Sequence, residues 1–323
     1  MKKLPVIQSF KEVYAGVFTH FLELLRVAWL PLVAWLVISA IANRWMLGHL
    51  PIYSPEEIKA LSAGGENARA IEAVHASEFM KVMPWVYGLM FVQYFFLSIA
   101  AVGFHRFVLL GERFHGWAGT GFVFGRNEFL YVWSLIKIAL IAFAAGMAIM
   151  IVLGVLGAIG GGGALRQALG SSQKGAIFVF VVLLYVAVMV ALLPVIPRMM
   201  LVLPHVAVGN RSEVRFVWRQ TQGNGWRLGG YFLLVMLVAA VGSMVVLGPV
   251  YWLLGIGLFP SPEAMQNLTT SPWLLFAQFL IGVPVSLIWT MLSITMLSVA
   301  YREIIGLPPQ MFPNAEIGET GPA

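Results

Sequence analysis

The sequence predicts an all-α integral membrane protein of six transmembrane helices, with an N-terminal interfacial amphipathic helix in front of them. Three observations carry this prediction. First, 60% of the 323 residues are hydrophobic and 11% are charged, with a mean hydropathy of +0.86, whereas a water-soluble globule carries about one-quarter charged residues. Second, six apolar runs are long enough to cross about 30 Å of hydrocarbon, and lipid admits only helices or closed barrels. Third, thirteen Lys and Arg residues fall on one side of those runs and six on the other. The positive-inside rule then places the richer side, and both termini, in the cytoplasm. No stretch of soluble composition exceeds about 35 residues, too short for an independent core.

The chain therefore divides into a cytoplasmic interfacial helix at 1–26, a six-span membrane domain at 27–306 and a mobile cytoplasmic tail at 307–323. In the first segment Ser9-Phe10-Lys11-Glu12 reads as a capping box. Phe10, Val13, Tyr14, Val17, Phe18, Phe21, Leu24 and Leu25 then recur at helical spacing, as expected of a helix lying along the leaflet. The first span, 27–43, is preceded by too many structured residues for a signal peptide. In the outer loop, Ser54-Pro55-Glu56-Glu57 combines an N-cap, a first-turn proline and two favourably placed carboxylates, predicting helix at 55–63 and again at 66–81. The remaining spans are expected at 84–104, 130–155, 177–197, 228–248 and 273–300. Gly160 to Gly163 reads as a turn, and the prolines at 194, 197 and 204 break or bend the end of the fourth span. A short helix is expected from Ser212, and Ser271-Pro272-Trp273 opens the sixth span. Three hairpins, each returning to an arginine (Arg106, Arg198 and Arg302), allow a threefold duplication, although arginines at membrane boundaries are generic.

Composition excludes much chemistry. Cysteine is absent and all 14 acidic residues are Glu, so thiol nucleophiles, disulfides and Asp-based sites are ruled out. No P-loop, HExxH zinc motif or GxSxG elbow occurs, and no catalytic residue, metal or cofactor is expected. The net charge of +6 follows from the basic cytoplasmic loops and does not call for nucleic acid. His20 with Glu23, and His75 with Glu78, have i, i+3 spacing and read as helix-surface pairs. His105, Arg106, Glu112, Arg113 and His115 are the densest titratable cluster and read as a solvated, positively biased loop, with proton transfer as the functional alternative. At Leu203-Pro204-His205 the break either lines a cavity or turns the chain along the membrane surface.

Two candidate sites remain. Arg211, Arg215 and Arg219 share one face by i, i+4 spacing and, with Arg227, Arg106 and Arg198, are the candidate contacts for anionic lipid headgroups. Inside the membrane, Lys137, Gln93, Ser286, Thr290 and Ser293 are the candidate polar site. Lys137 either snorkels to the cytoplasmic face or holds an anionic headgroup or substrate within the bundle. The uncharged groups are expected to make interhelical hydrogen bonds.

An N-terminal amphipathic helix, six spans, Leu203-Pro204, Gly223-Asn224-x-Trp226-Arg227 and Tyr301-Arg302-Glu303 with Gly306 together resemble the membrane domain of membrane-anchored bacterial glycerophosphodiester phosphodiesterases and its free-standing six-span relatives. The resemblance covers about residues 8 to 307 and implies an inner-membrane location. The catalytic barrel and its acidic metal ligands are missing, so the phosphodiesterase activity is not implied. The expected role is a non-enzymatic accessory or scaffold that binds lipids or a membrane-protein partner. The alternative is a transporter or channel for a small amphiphile.

Overall fold

The computed structural model describes residues 2–49, 54–63, 65–112, 124–161, 186–253 and 272–306. Among these there is no strand. The helices are α1 (Val6–Thr19), α2 (Phe21–Val27), α3 (Trp29–His49), α4 (Pro55–Ala63), α5 (Glu66–Leu110) and α6 (Arg126–Gly161). They continue with the helical residues 186–192 (α7), α8 (Ile196–Met200), α9 (Val202–Ala207), α10 (Val214–Gln220), α11 (Gly225–Leu253) and α12 (Pro272–Ile305). Among the described residues six stretches are long and apolar enough to cross a membrane: Trp29–Met46, Glu66–Leu110, Arg126–Ala148, Val186–Ala207, Gly225–Leu253 and Leu280–Ile305.

Several elements depart from the sequence reading for identifiable reasons. Ser9 caps nothing: α1 starts at Val6 after Pro5, and Ser9 lies buried inside the helix. The carboxylate of Glu12, which the capping box would turn back on the backbone, instead meets Arg302. The segment is also broken at His20, where the His20 N–H bonds the Gly16 carbonyl and α2 begins. By contrast α4 starts where Ser54 predicts. The Glu57 N–H donates to the Ser54 hydroxyl at 3.2 Å and the Ser54 N–H donates to the Glu57 carboxylate at 2.7 Å, a reciprocal box.

The two helices expected at 66–81 and 84–104 are one 45-residue helix, α5, with Pro84 in its interior. At 1.5 Å per residue α5 is about 68 Å long, more than twice the hydrocarbon thickness. Its stop is Gly111, at φ 66°, whose N–H closes on the Phe107 carbonyl at 3.0 Å, a left-handed cap that favours glycine. The helix α6 runs through the first two of the four glycines expected to form a turn. The other two, with Arg113, His115, Arg166, Lys174, residues 177–185, Ser271 and the tail from 307, lie outside the described residues. The prolines do interrupt the fourth span, at 193–195 and again at Leu201. Finally, α10 begins at Val214 with Glu213 at its N-cap, two residues later than Ser212 suggested.

The ends of α5, α9 and α12 pack on one another. Around them α3 lies on α5, α6 on α9 and α5, α11 on α12, and α1 across α11 and α12. The buried core is drawn from 99–109, 201–207, 228–239 and 291–304, together with Leu4, Val13, Val17 and Leu24. It occupies the end of the bundle where residues 2–28 meet the ends of α5 and α12, which we call the basal end. Thus α1 is not only a surface helix: Val13, Gly16 and Val17 are buried, and the Tyr14 hydroxyl donates to the Val235 carbonyl at 2.9 Å. Along the helices away from this end, Trp85, Phe91, Leu140, Phe143, Met244 and Val245 are exposed, as lipid-facing positions would be.

Close approach depends on one glycine in particular. A Cβ on Gly229 would stand 2.8 Å from the Leu193 carbonyl oxygen and 2.9 Å from the Leu193 side chain. Only hydrogen at this position lets α11 pass directly over the break at 193–195.

Candidate functional site

The polar groups of the basal end fall into an inner, buried set and an outer, exposed one. His105 belongs to the inner set. The sequence suggested a solvated loop there, but no helix breaker follows Phe104 until Gly111, so α5 continues and carries His105 into full burial. Its Nδ1 is 2.7 Å from the Ser298 hydroxyl of α12, and its Nε2 is 3.3 Å from the Tyr131 hydroxyl of α6. The Ser298 hydroxyl donates to the Ile294 carbonyl at 3.1 Å, so Nδ1–H donates to Ser298. The His105 imidazole thus ties three helices. His205 of α9 is likewise hydrogen-bonded through Nδ1 to the Tyr301 hydroxyl at 2.8 Å and stacks on Phe216. The Pro204 break therefore turns the chain so that His205 packs against α12. A third tyrosine, Tyr231, donates to the Met296 carbonyl at 3.2 Å. Each of these groups is buried and partnered, which is what burial of polar atoms requires.

A second layer straps the N-terminal residues to this core. Asn224 accepts from the Leu4 N–H at 3.1 Å and donates to the Lys2 carbonyl at 3.0 Å, while Arg227 donates to the Leu4 carbonyl at 3.3 Å. Leu4 itself is fully buried. One guanidinium nitrogen of Arg302 contacts both Glu12 oxygens, at 2.7 and 2.6 Å, and also Glu303 at 3.2 Å, and Glu303 accepts from Lys2 at 2.9 Å. Arg198 lies 3.7 Å over the Trp218 ring and donates to the Trp218 carbonyl and the Thr221 hydroxyl.

These contacts divide the six candidate lipid arginines. Arg198 is held by Trp218 and Thr221, Arg106 is paired with Glu112 at 2.6 Å, and Arg227 spends one donor on Leu4. Arg211, Arg215 and Arg219 are exposed, and among the described residues they carry no ion pair. They do not share a helix face as expected: Arg215 and Arg219 lie on α10, whereas Arg211 precedes it, in the connection from α9. Phe216, 38% exposed, lies between Arg215 and Arg219, and Trp226, 62% exposed, follows them in sequence, a mixture of cations and exposed aromatics suited to a membrane interface.

The five intramembrane candidates do not converge through side-chain hydrogen bonds. The Thr290 and Ser293 hydroxyls donate to the carbonyls of Ser286 and Trp289, four residues back on their own helix, and Ser286 is exposed. The interhelical bond in this region comes from Trp289, whose indole N–H donates to Ser243 of α11 at 2.6 Å. Gln93 is partly buried on α5. Lys137 points elsewhere: its ammonium is 3.4 Å from the Ser212 hydroxyl and 5.6 Å from the centre of the Trp133 ring. Ser212 also meets the Ser134 hydroxyl at 2.7 Å. Sequence reasoning did not single out Ser134. It lies one residue beyond Trp133 on α6, and only the seating of the 209–213 connection against α6 reveals it.

At the other end of the bundle, α4 rests on α5. His75 pairs with Glu57 at 3.1 Å and not with Glu78, which takes Lys81 at 2.7 Å. The backbone hydrogen bond from Ser54, and after it the contact with His75, hold the Glu57 carboxyl below its ordinary value. A shallow groove of about 390 Å³ lies beside it, lined by Glu56, Glu57, Ala60, Asn67, Ala70 and Ile71. The basal pair His20 and Glu23 forms as spaced, at 2.9 Å.

Compared with protein-family models, curated proteins and solved structures, the chain matches none. The class that fold and site define is an α-helical protein with, among the described residues, six helices long and apolar enough to cross a membrane, and a polar, basic base.

Proposed function

We propose that this protein resides in the bacterial inner membrane with its base, and both termini, in the cytoplasm. There it serves as a non-enzymatic accessory or scaffold that gathers anionic lipid headgroups and docks a membrane-protein partner. The observation that carries this reading is the division among the basal arginines. Arg198, Arg302 and Arg106 are tied into the protein and Arg227, though exposed, gives one hydrogen bond to Leu4, whereas Arg211, Arg215 and Arg219 stand exposed with no ion pair among the described residues. Each exposed cation near an anionic leaflet contributes roughly 1 kcal/mol. The hydrogen bonds of Thr290 and Ser293 to their own helix, and of Lys137 to the basal connection, support scaffolding over transport along a path through these groups. A relationship to the membrane domain of the glycerophosphodiester phosphodiesterases is part of the same proposal.

The test is lipid capture by the full chain in nanodiscs of mixed phosphatidylcholine and phosphatidylglycerol. The wild type should enrich phosphatidylglycerol around itself, with the enrichment falling as salt rises. The combined Arg211→Gln, Arg215→Gln and Arg219→Gln variant should lose most of it. Equal enrichment in that variant would remove the basis for the reading.

A further inference from the structure

We infer that Lys137 and Ser212, the latter held in place by Ser134, form a binding site for the phosphate of one anionic phospholipid, whose acyl chains run along the exposed face of α6. This rests on the membrane reading above and adds an individually bound lipid to the diffuse basal attraction.

Lys137 lies eleven residues into α6, about 16 Å from its first residue Arg126. An ammonium has three donors and no acceptor. Here one reaches Ser212 at a long 3.4 Å, and the Trp133 ring lies 5.6 Å away on another side. Among the described residues no carboxylate is within ion-pair distance of Lys137. A partly buried cation in an apolar segment is costly unless an anion accompanies it.

The neighbouring hydroxyls are arranged to serve that anion. Ser134 is 1% exposed and donates to the Leu130 carbonyl at 2.7 Å. It therefore accepts from Ser212 across their 2.7 Å contact, since a hydroxyl has one hydrogen. Ser212 is thereby held beside the ammonium, and rotation of its O–H away from Ser134 would give a phosphate oxygen a second donor next to the lysine.

The surroundings favour a phospholipid over free phosphate. Trp133, Lys137, Leu140 and Ile141 occupy one face of α6 by i, i+4 and i, i+3 spacing. Trp133 is 46% exposed, Leu140 61% and Ile141 46%. The face thus presents an aromatic ring on the basal side, a cation in the middle and bare aliphatic surface beyond. That order matches headgroup, phosphate and acyl chain.

The experiment is native mass spectrometry of the full chain released from phosphatidylcholine nanodiscs doped with phosphatidylglycerol, at matched collisional activation. Wild type should keep one phosphatidylglycerol to higher activation than the rest. Lys137→Met should lower occupancy of that lipid roughly fivefold, Lys137→Arg should retain it, and Ser212→Ala should weaken it, while the melting temperature of Lys137→Met in pure phosphatidylcholine does not fall below the wild-type value. Wild-type retention by Lys137→Met overturns the inference. So does a melting-temperature rise with inorganic phosphate alone in phosphatidylcholine nanodiscs that Lys137→Met abolishes, because the site would then take free phosphate. Should Lys137→Met fail to fold, Ser212→Ala decides, and unchanged retention there overturns the proposal. An Arg215→Gln, Arg219→Gln variant separates the two readings. If it keeps the tight lipid but loses bulk enrichment, both stand; if it keeps both, the scaffold reading fails while the Lys137 site stands or falls on Lys137→Met.

Discussion

Arg302 and Lys2 both pair with glutamates at the base, yet their environments make them unequal. The Arg302 side chain is 9% exposed and Glu12 is 30% exposed, whereas Lys2 is 63% exposed. Arg302→Met should leave the Glu12 carboxylate partly buried without its cation, at a cost of about 2–4 kcal/mol, below the fully buried limit. Lys2→Met should cost no more than about 1 kcal/mol. Denaturation of both variants in one detergent checks the order, and equal losses would refute it. Gly229→Ala tests close packing in the opposite direction. Its Cβ would press on a backbone carbonyl that cannot swing aside, so about 1–3 kcal/mol of destabilisation is expected, read as a lower melting temperature. Little of this was visible along the chain. Arg302 stood out as a boundary arginine, but its partner Glu12 is 290 positions away, and local pattern carries no information at that separation. His105 obeys a related rule: its titratable neighbours suggest solvent, but no helix breaker stands between it and Gly111, so α5 carries it into the core.

At the level of single elements, α4 offers a pH test. Glu57 is held below the ordinary carboxyl value of 4.5, first by the backbone bond from Ser54 and then by His75. A depressed folded-state value means that the unfolded chain binds the proton more tightly. The stabilisation is therefore fully present above pH 4.5, and is lost as pH falls through the depressed value. Hydrogen exchange of the α4 amides should quicken selectively in that acid window, and Glu57→Gln should flatten the dependence. An unchanged profile in the variant would exclude Glu57 as its source. Why Ser54 caps a helix and Ser9 does not is also decided at this scale. Pro55 follows Ser54 at a position that suits a first turn, whereas the residues before Ser9 can themselves be helical, and packing of Val13 and Val17 favours an earlier start. Pro84 stands inside α5 without ending it, although proline removes one helical hydrogen bond.

For the molecule as a whole, the orientation proposed here predicts that reporters fused after Asn210 and Gly306 report the cytoplasm and one after Gly65 reports the outside. The same side for Gly65 and Asn210 would invert or break the topology. The number of membrane-length helices and their approximate places were legible in the sequence, because an uninterrupted apolar run of that length has few stable alternatives in lipid. The concentration of arginine near the base was legible too, since charge is a property of composition. Tertiary structure alone decided which arginines are occupied and which are exposed, that the ends of α5, α9 and α12 form the core, and that Ser134, Ser212 and Lys137 meet. Burial and hydrogen bonding between residues far apart in the chain depend on how helices cross, and the hydropathy of a lipid-facing helix is nearly the same on every face. Little periodicity therefore remains in the sequence to say which side turns inward.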